Sequence, residues 1–211
     1  MKENFSYITF VLDASGSMNP IKDDTIGGFN HFLEEQKRQP GTAHMALYQF
    51  STTYSIVFDG PLQETESLSS EQYTPSGGTA LLDCLGDAIS RTGNILSRME
   101  EAERPSNVVF VILTDGYENS SKEYTRQRVA DMIQHQTDVY SWDFIFLGAN
   151  MDSVSEAGQL NIDGYAVANF AATMDGVKEA YTYSSNLVSM SRKGNLTAEA
   201  VAQVEKPNVN S

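Results

Sequence analysis

Six short apolar runs separated by helical patterns constrain this chain more than any other feature. The runs are Tyr7–Leu12, His44–Phe50, Tyr54–Phe58, Val108–Leu113, Trp142–Leu147 and Tyr165–Val167. The first and fourth show no in/out alternation, as expected of central parallel strands covered on both faces. Only Ser51, Thr52 and Thr53 separate the second run from the third, a hairpin length that predicts one antiparallel edge strand. Between the runs, Ile26, Phe29 and Leu33 mark a helix that stops before Pro40-Gly41. Leu82, Leu85, Ile89, Leu96 and Met99 give a second helix with three-four spacing. Ser120 and Glu123 read as a capping box for a third, carrying Val129, Met132 and Ile133. A helix over about Asp175–Val188 closes the pattern. Strands alternating with helices predict an α/β fold, a doubly wound, mostly parallel sheet with helices on both faces.

A chain of 211 residues can build that sheet and a core without staples. One domain is expected over residues 1–190, followed by a polar C-terminal extension over 191–211 that reads as a loose tail with a short helix at Thr197–Val204. Lys and Arg number 14 against 28 Asp and Glu, a net charge of −14. Such a surface repels phosphate backbones and anionic lipid, so neither nucleic acid nor a membrane is an expected partner. No apolar run approaches the ~20 residues of a membrane span. The N-terminal run ends at Asp13, too early for a signal-peptide core, so a cytoplasmic location is expected. The single cysteine, Cys84, excludes an internal disulfide and a CxxC zinc site, and its place beside Leu82 and Leu85 reads as a small, partly buried residue.

Chemistry concentrates at strand ends. The first run stops at Asp13-Ala14-Ser15-Gly16-Ser17, the fourth at Thr114-Asp115-Gly116, and Ser76-Gly77-Gly78-Thr79 opens the second helix. Ligands of doubly wound sheets bind beyond the carboxyl ends of the strands, where strand order reverses. With strands one and four adjacent there, Asp13 and Asp115 share one crevice, and the Gly77-Gly78 turn can bring Thr79 to it. Three hydroxyls and two carboxylates, with no histidine or thiol, suit a hard divalent cation: Mg²⁺ above all, with Mn²⁺ or Ca²⁺ also accommodated. Neutral hydroxyl ligands leave such an ion much of its charge, so it seeks an anionic ligand from outside.

These residues carry a resemblance. Asp13-x-Ser15-x-Ser17, then Thr79, then Asp115, resembles the metal-ion-dependent adhesion site of von Willebrand factor A domains, and the similarity runs from about Phe5 to Val188. It implies a Rossmann-like sheet of six strands. It implies that Ser15, Ser17 and Thr79 contact Mg²⁺, with Asp13 and Asp115 direct or through water, and that a carboxylate of a partner protein completes the sphere. Thr114-Asp115-Gly116-Tyr117-Glu118-Asn119 and Phe146-Leu147-Gly148-Ala149-Asn150 are most similar to short intracellular bacterial and phage members. Bacterial relatives of that kind imply an AAA+ ATPase or a stress-response complex as partner.

The leading expectation is therefore a non-catalytic, metal-dependent protein-interaction module. Two others remain. A phosphatase of the haloacid-dehalogenase type also uses a strand-end aspartate with Mg²⁺, but needs D-x-D where this chain has Ser15. A scaffold would use the ion only to stabilise its fold. Asp83 reads as a favourable charge near a helix N-terminus, Glu118 and Asn119 as a solvated loop, and Met18 and Tyr117 as common neighbours of a strand end. His31, His44 and His135 are scattered and read as structural or surface residues.

Overall fold

The computed structural model describes residues 1–149 and 151–208. Asn150, part of the strand end singled out above, and the last three residues of the extension lie outside the described residues. The strands are β1 (Lys2–Asp13), β2 (Thr42–Phe50), β3 (Tyr54–Pro61), β4 (Pro105–Thr114), β5 (Asp143–Ala149) and β6 (Val167–Phe170). They form one sheet in the order β3-β2-β1-β4-β5-β6. All neighbours are parallel except β2 and β3, joined by the Ser51–Thr53 turn and paired antiparallel. The α/β doubly wound fold and its one antiparallel edge strand are as expected. The helices are α1 (Lys22–Arg38), α2 (Leu81–Ser97), α3 (Arg126–Tyr140), α4 (Ser153–Gly158), α5 (Met174–Ser191) and α6 (Ala198–Val201).

The central strands are buried on both faces, which is why β1 and β4 read as continuous apolar runs. Ile8, Phe10 and Leu12 of β1 point to one side with Val109, Val111 and Leu113 of β4, under Phe29, Phe32 and Leu33 of α1 and Val177, Tyr181 and Leu187 of α5. Tyr7 and Val11 point to the other with Phe110 and Ile112, under Leu82, Leu85 and Ile89 of α2 and Val129 and Ile133 of α3. Helices α1 and α5 meet closely at Gly28. A methyl group there would sit 2.2 Å from Cδ2 of Tyr181, whose ring stacks on Phe10 at 5.8 Å.

Two local expectations are corrected. α3 begins at Arg126, not at Ser120: Thr125 is its N-cap and accepts a hydrogen bond from the Arg128 N–H. Ser120 and Glu123 belong to the preceding loop, where other partners take their hydrogen bonds. The sixth strand runs over Val167–Phe170, and Tyr165 falls in the 3₁₀ turn Gly164–Ala166 before it. Beyond α5 the chain folds back on the domain. Leu196 and Val201 are buried in the α1/α5 core, and Lys206 Nζ donates to the Val167 carbonyl of edge strand β6 at 2.9 Å. Arg192 is buried as well, its guanidinium donating to the Gln36 carbonyl at 2.7 Å and to the Pro40 carbonyl at 3.3 Å. Among the described residues, no helix is long and apolar enough to cross a membrane.

Candidate metal centre

β1 and β4 lie side by side, with Leu12 opposite Leu113, so Asp13 at the end of one strand and Asp115 just past the other come out at the same edge. Sheet order reverses here, since β2 lies on one side of β1 and β4 on the other. Asp13 is fully buried. Its Oδ1 accepts from the Ser15 N–H at 2.6 Å and its Oδ2 from Thr114 Oγ1 at 2.6 Å. The first bond curls the chain just after the strand and brings Ser15 and Ser17 together, their hydroxyl oxygens 3.0 Å apart. Ser17 Oγ in turn donates to Asp115 Oδ1 at 2.5 Å. One continuous chain of oxygen atoms thus links both loops.

Thr79 reaches the same point from a third loop. A methyl group built on Gly116 would lie 3.6 Å from Thr79 Oγ1 and 3.7 Å from Ser17 Oγ, so both hydroxyls flank one backbone position. The backbone of this loop is tied on every side. The Ser76 N–H donates to the Ala14 carbonyl at 2.8 Å and the Gly16 N–H to the Gly77 carbonyl at 3.1 Å. Gly77 has φ +73, and a side chain there would strike Thr52 Oγ1, which accepts from the Gly78 N–H at 2.9 Å. The structure therefore brings together all five residues picked from the sequence.

Further residues hold this arrangement, and the sequence did not reveal them. Asn119 Oδ1 accepts from the Thr79 N–H at 2.9 Å, while the Asn119 N–H donates to the Thr79 carbonyl at 3.0 Å. Glu118 caps α2 from outside the helix, accepting from the Leu82 N–H at 3.0 Å. Asp83 does the reverse. It accepts from the N–H groups of Lys122, Glu123 and Tyr124, which hold its carboxyl below the usual range despite partial burial. Reading Glu118 and Asn119 as a solvated loop is thus corrected: both clamp the Thr79 loop to the loop after β4. The only sequence signal for this was their position directly behind Asp115-Gly116. Nothing in the sequence pointed to Tyr73, whose buried hydroxyl donates to the Asp13 carbonyl at 2.6 Å.

The other residues weighed earlier lie elsewhere. His44 stacks on Tyr7 and shares the Asp59 carboxylate with Arg91, in a structural cluster on β2 and β3. Cys84 is fully buried in the α2 core, which pushes its thiol well up.

Burial pushes the Asp13 carboxyl up to about 6, although hydrogen bonds from Thr114 and Ser15 pull the other way. Burial raises Asp115 too, against the bond from Ser17. Among the described residues, no Lys, Arg or His forms an ion pair with either carboxylate. Buried charges in folded proteins are paired or bind metals. Two such acids beside three hydroxyls, with no nitrogen or sulfur donor, fit a hard divalent cation. Among the described residues, no group of three or more His, Cys, Asp or Glu side chains is arranged to hold a metal ion, so an ion here would have to draw on the hydroxyls.

A protein-family model, the von Willebrand factor type A domain, matches residues 8–160. Solved structures of similar fold include proximal thread matrix protein 1 from the mussel byssus with a zinc-occupied MIDAS motif. It is 18% identical at a TM-score of 0.61, over 90% of this chain and 47% of that one. A von Willebrand factor type A protein from Catenulispora acidiphila is 16% identical at a TM-score of 0.58, over 93% of this chain and 43% of the other. The pilus adhesin SpaC of Lactobacillus rhamnosus GG is 13% identical at a TM-score of 0.63, over 90% of this chain and 30% of that one. The chain spans less than half the length of each of these proteins. No curated protein matches it.

Proposed function

The chain belongs to the von Willebrand factor type A domain family, and from that premise we propose that it recognises a protein partner through a divalent cation, without turnover. Ser15, Ser17 and Thr79 offer hydroxyl oxygens to Mg²⁺, and Asp13 and Asp115 supply the negative charge around it. The ion supplies a site for an anionic ligand, filled by a carboxylate of the partner. The observation that carries this reading is the buried pair Asp13 and Asp115, without a Lys, Arg or His ion-pair partner among the described residues, meeting three hydroxyls at one edge of the sheet.

Asp13 also supports a binding role over a hydrolytic one. A phosphatase nucleophile has to present a free carboxylate oxygen to substrate. Here the group is fully buried, and both its oxygens already accept hydrogen bonds. The net charge of −14 favours a partner face that is basic overall yet offers one acidic side chain. An AAA+ ATPase or stress-response complex in the cytoplasm is the partner type the bacterial resemblance brings.

Titration calorimetry with Mg²⁺ and Mn²⁺ tests the site. Thr79→Ala and Ser17→Ala are expected to weaken metal binding at least about tenfold, roughly the loss of one good ligand interaction. Affinity capture from native host lysate, with and without EDTA, tests the function. A partner held equally well in EDTA and by Thr79→Ala overturns the reading.

A further inference from the structure

The end of the sheet opposite the metal centre carries a cavity of about 700 Å³ between the C-terminal halves of α2 and α3. Val108, on its floor, stands six residues before Thr114 on β4, so the cavity lies ~20 Å from the metal centre. Ile89, Leu96 and Trp142 continue the floor, and all four side chains are buried. The α2 wall carries only small residues at Ser90, Gly93 and Ser97, which leaves the space unfilled. A methyl group on Gly93 would meet nothing within 4 Å. Three of the seven large apolar side chains exposed among the described residues gather at this mouth. Met1 and Tyr140 line it, and Val139 precedes Tyr140 at the end of α3; they are 71%, 59% and 57% exposed. Tyr140 meets the His135 ring edge-on, with the centroids 5.7 Å apart. A buried apolar floor inside an exposed apolar rim marks a protein contact.

Charge selects the partner. The chain carries −14 overall, yet the cavity lining holds one acid, Glu101, and one base, Arg104. A basic partner gains nothing from so balanced a surface, whereas a second copy meets it without the repulsion that the rest of the chain brings. Neither side chain has an ion-pair partner among the described residues. They are three residues apart, so about a two-fold axis Glu101 of each copy can face Arg104 of the other. The patch also holds a hole with the projecting Tyr140 beside it, the self-complementarity that a two-fold contact requires. Seventeen residues line the cavity, close to the ~20 per side of a small specific interface.

We infer that this face joins two copies of the chain in a two-fold dimer, with Tyr140 of each entering the cavity of the other. The pairing needs no metal. It leaves both metal centres open, at the ends of the two sheets away from the shared face. One dimer therefore offers two ions, and a partner with two acidic anchors would gain avidity from it.

Sedimentation velocity of the full chain, from about 1 µM to about 300 µM, tests the pairing. The expected result is a shift to the mass of two chains, the same in EDTA as in Mg²⁺. Val139→Ser/Tyr140→Ser should weaken association at least about tenfold. Gly93→Leu fills the cavity from within and should weaken it as much without lowering Tm, because leucine is the better helix former and enters open space. A chain that stays monomeric throughout, including one that takes up an apolar dye or a different protein at this face instead, overturns the inference. So does a dimer that either variant forms as tightly as wild type, or one that EDTA dissolves.

Discussion

Replacing Asp13 with asparagine should make the metal-free protein more stable at neutral pH, although it removes a residue of the functional site. Burial lifts the folded carboxyl from 3.8 to about 6. The folded state therefore holds its proton more tightly than the unfolded chain does. Stability from this group is full below about pH 4 and is lost as pH rises through about 6. A shift of roughly 2 units corresponds to about 3 kcal/mol of destabilisation at pH 7. Asparagine removes the charge and keeps the shape. Its Oδ1 still accepts from the Ser15 N–H. Its Nδ2 can donate to Thr114 Oγ1, whose proton then turns from residue 13 to the Gly116 carbonyl 3.1 Å away. Half of the full figure, ~1.5 kcal/mol, is a conservative expectation and raises Tm by about 3–6 °C in a domain of this size. Thermal melts in EDTA at pH 7 and pH 5 measure it. The advantage of Asp13→Asn over wild type should shrink at pH 5, and Mg²⁺ should stabilise the wild type but not the variant. A variant less stable than wild type in EDTA at pH 7 would show that Asp13 is not an uncompensated buried charge.

Three further substitutions probe the frame around the site. Tyr73→Phe orphans the buried Asp13 carbonyl and should cost about 1–3 kcal/mol in urea unfolding; an unchanged midpoint would mean that another donor replaces it. Gly28→Ala drives a methyl group into the Tyr181 ring and should cost about 1–3 kcal/mol, partly restored by Tyr181→Leu. Arg192→Met leaves the Pro40 carbonyl without its Arg192 donor and the Gln36 carbonyl with the Gln39 N–H alone, and should cost about 1–3 kcal/mol, measured by denaturant unfolding.

Periodicity revealed what depends on neighbours in sequence, and spatial pairing decided the rest. β1 and β4 were legible because strands covered on both faces must be apolar throughout, and the β2–β3 turn because three residues leave a chain little choice but to reverse. The five site residues were legible because each stands directly at a strand end or helix start. α3 was misjudged at its start: Ser120 and Glu123 have the spacing of a capping box, but Asp83, far away in sequence, takes the Glu123 N–H. Glu118 and Asn119 looked like loop residues because their partners, Leu82 and Thr79, are brought to them only by the fold. β6 was displaced because Tyr165 has strand propensity yet sits in a turn. Residues 192–208 looked polar and loose because their few apolar side chains show no period, yet Leu196 and Val201 are buried in the core and Val204 packs against it.

The two borders of the sheet are treated differently. At the start of β6 the returning chain takes one edge carbonyl, Lys206 Nζ donating to Val167, whereas the longer β3 has no further strand beside it among the described residues. Of the two borders, β3 therefore offers the longer row of backbone groups to a strand of another molecule.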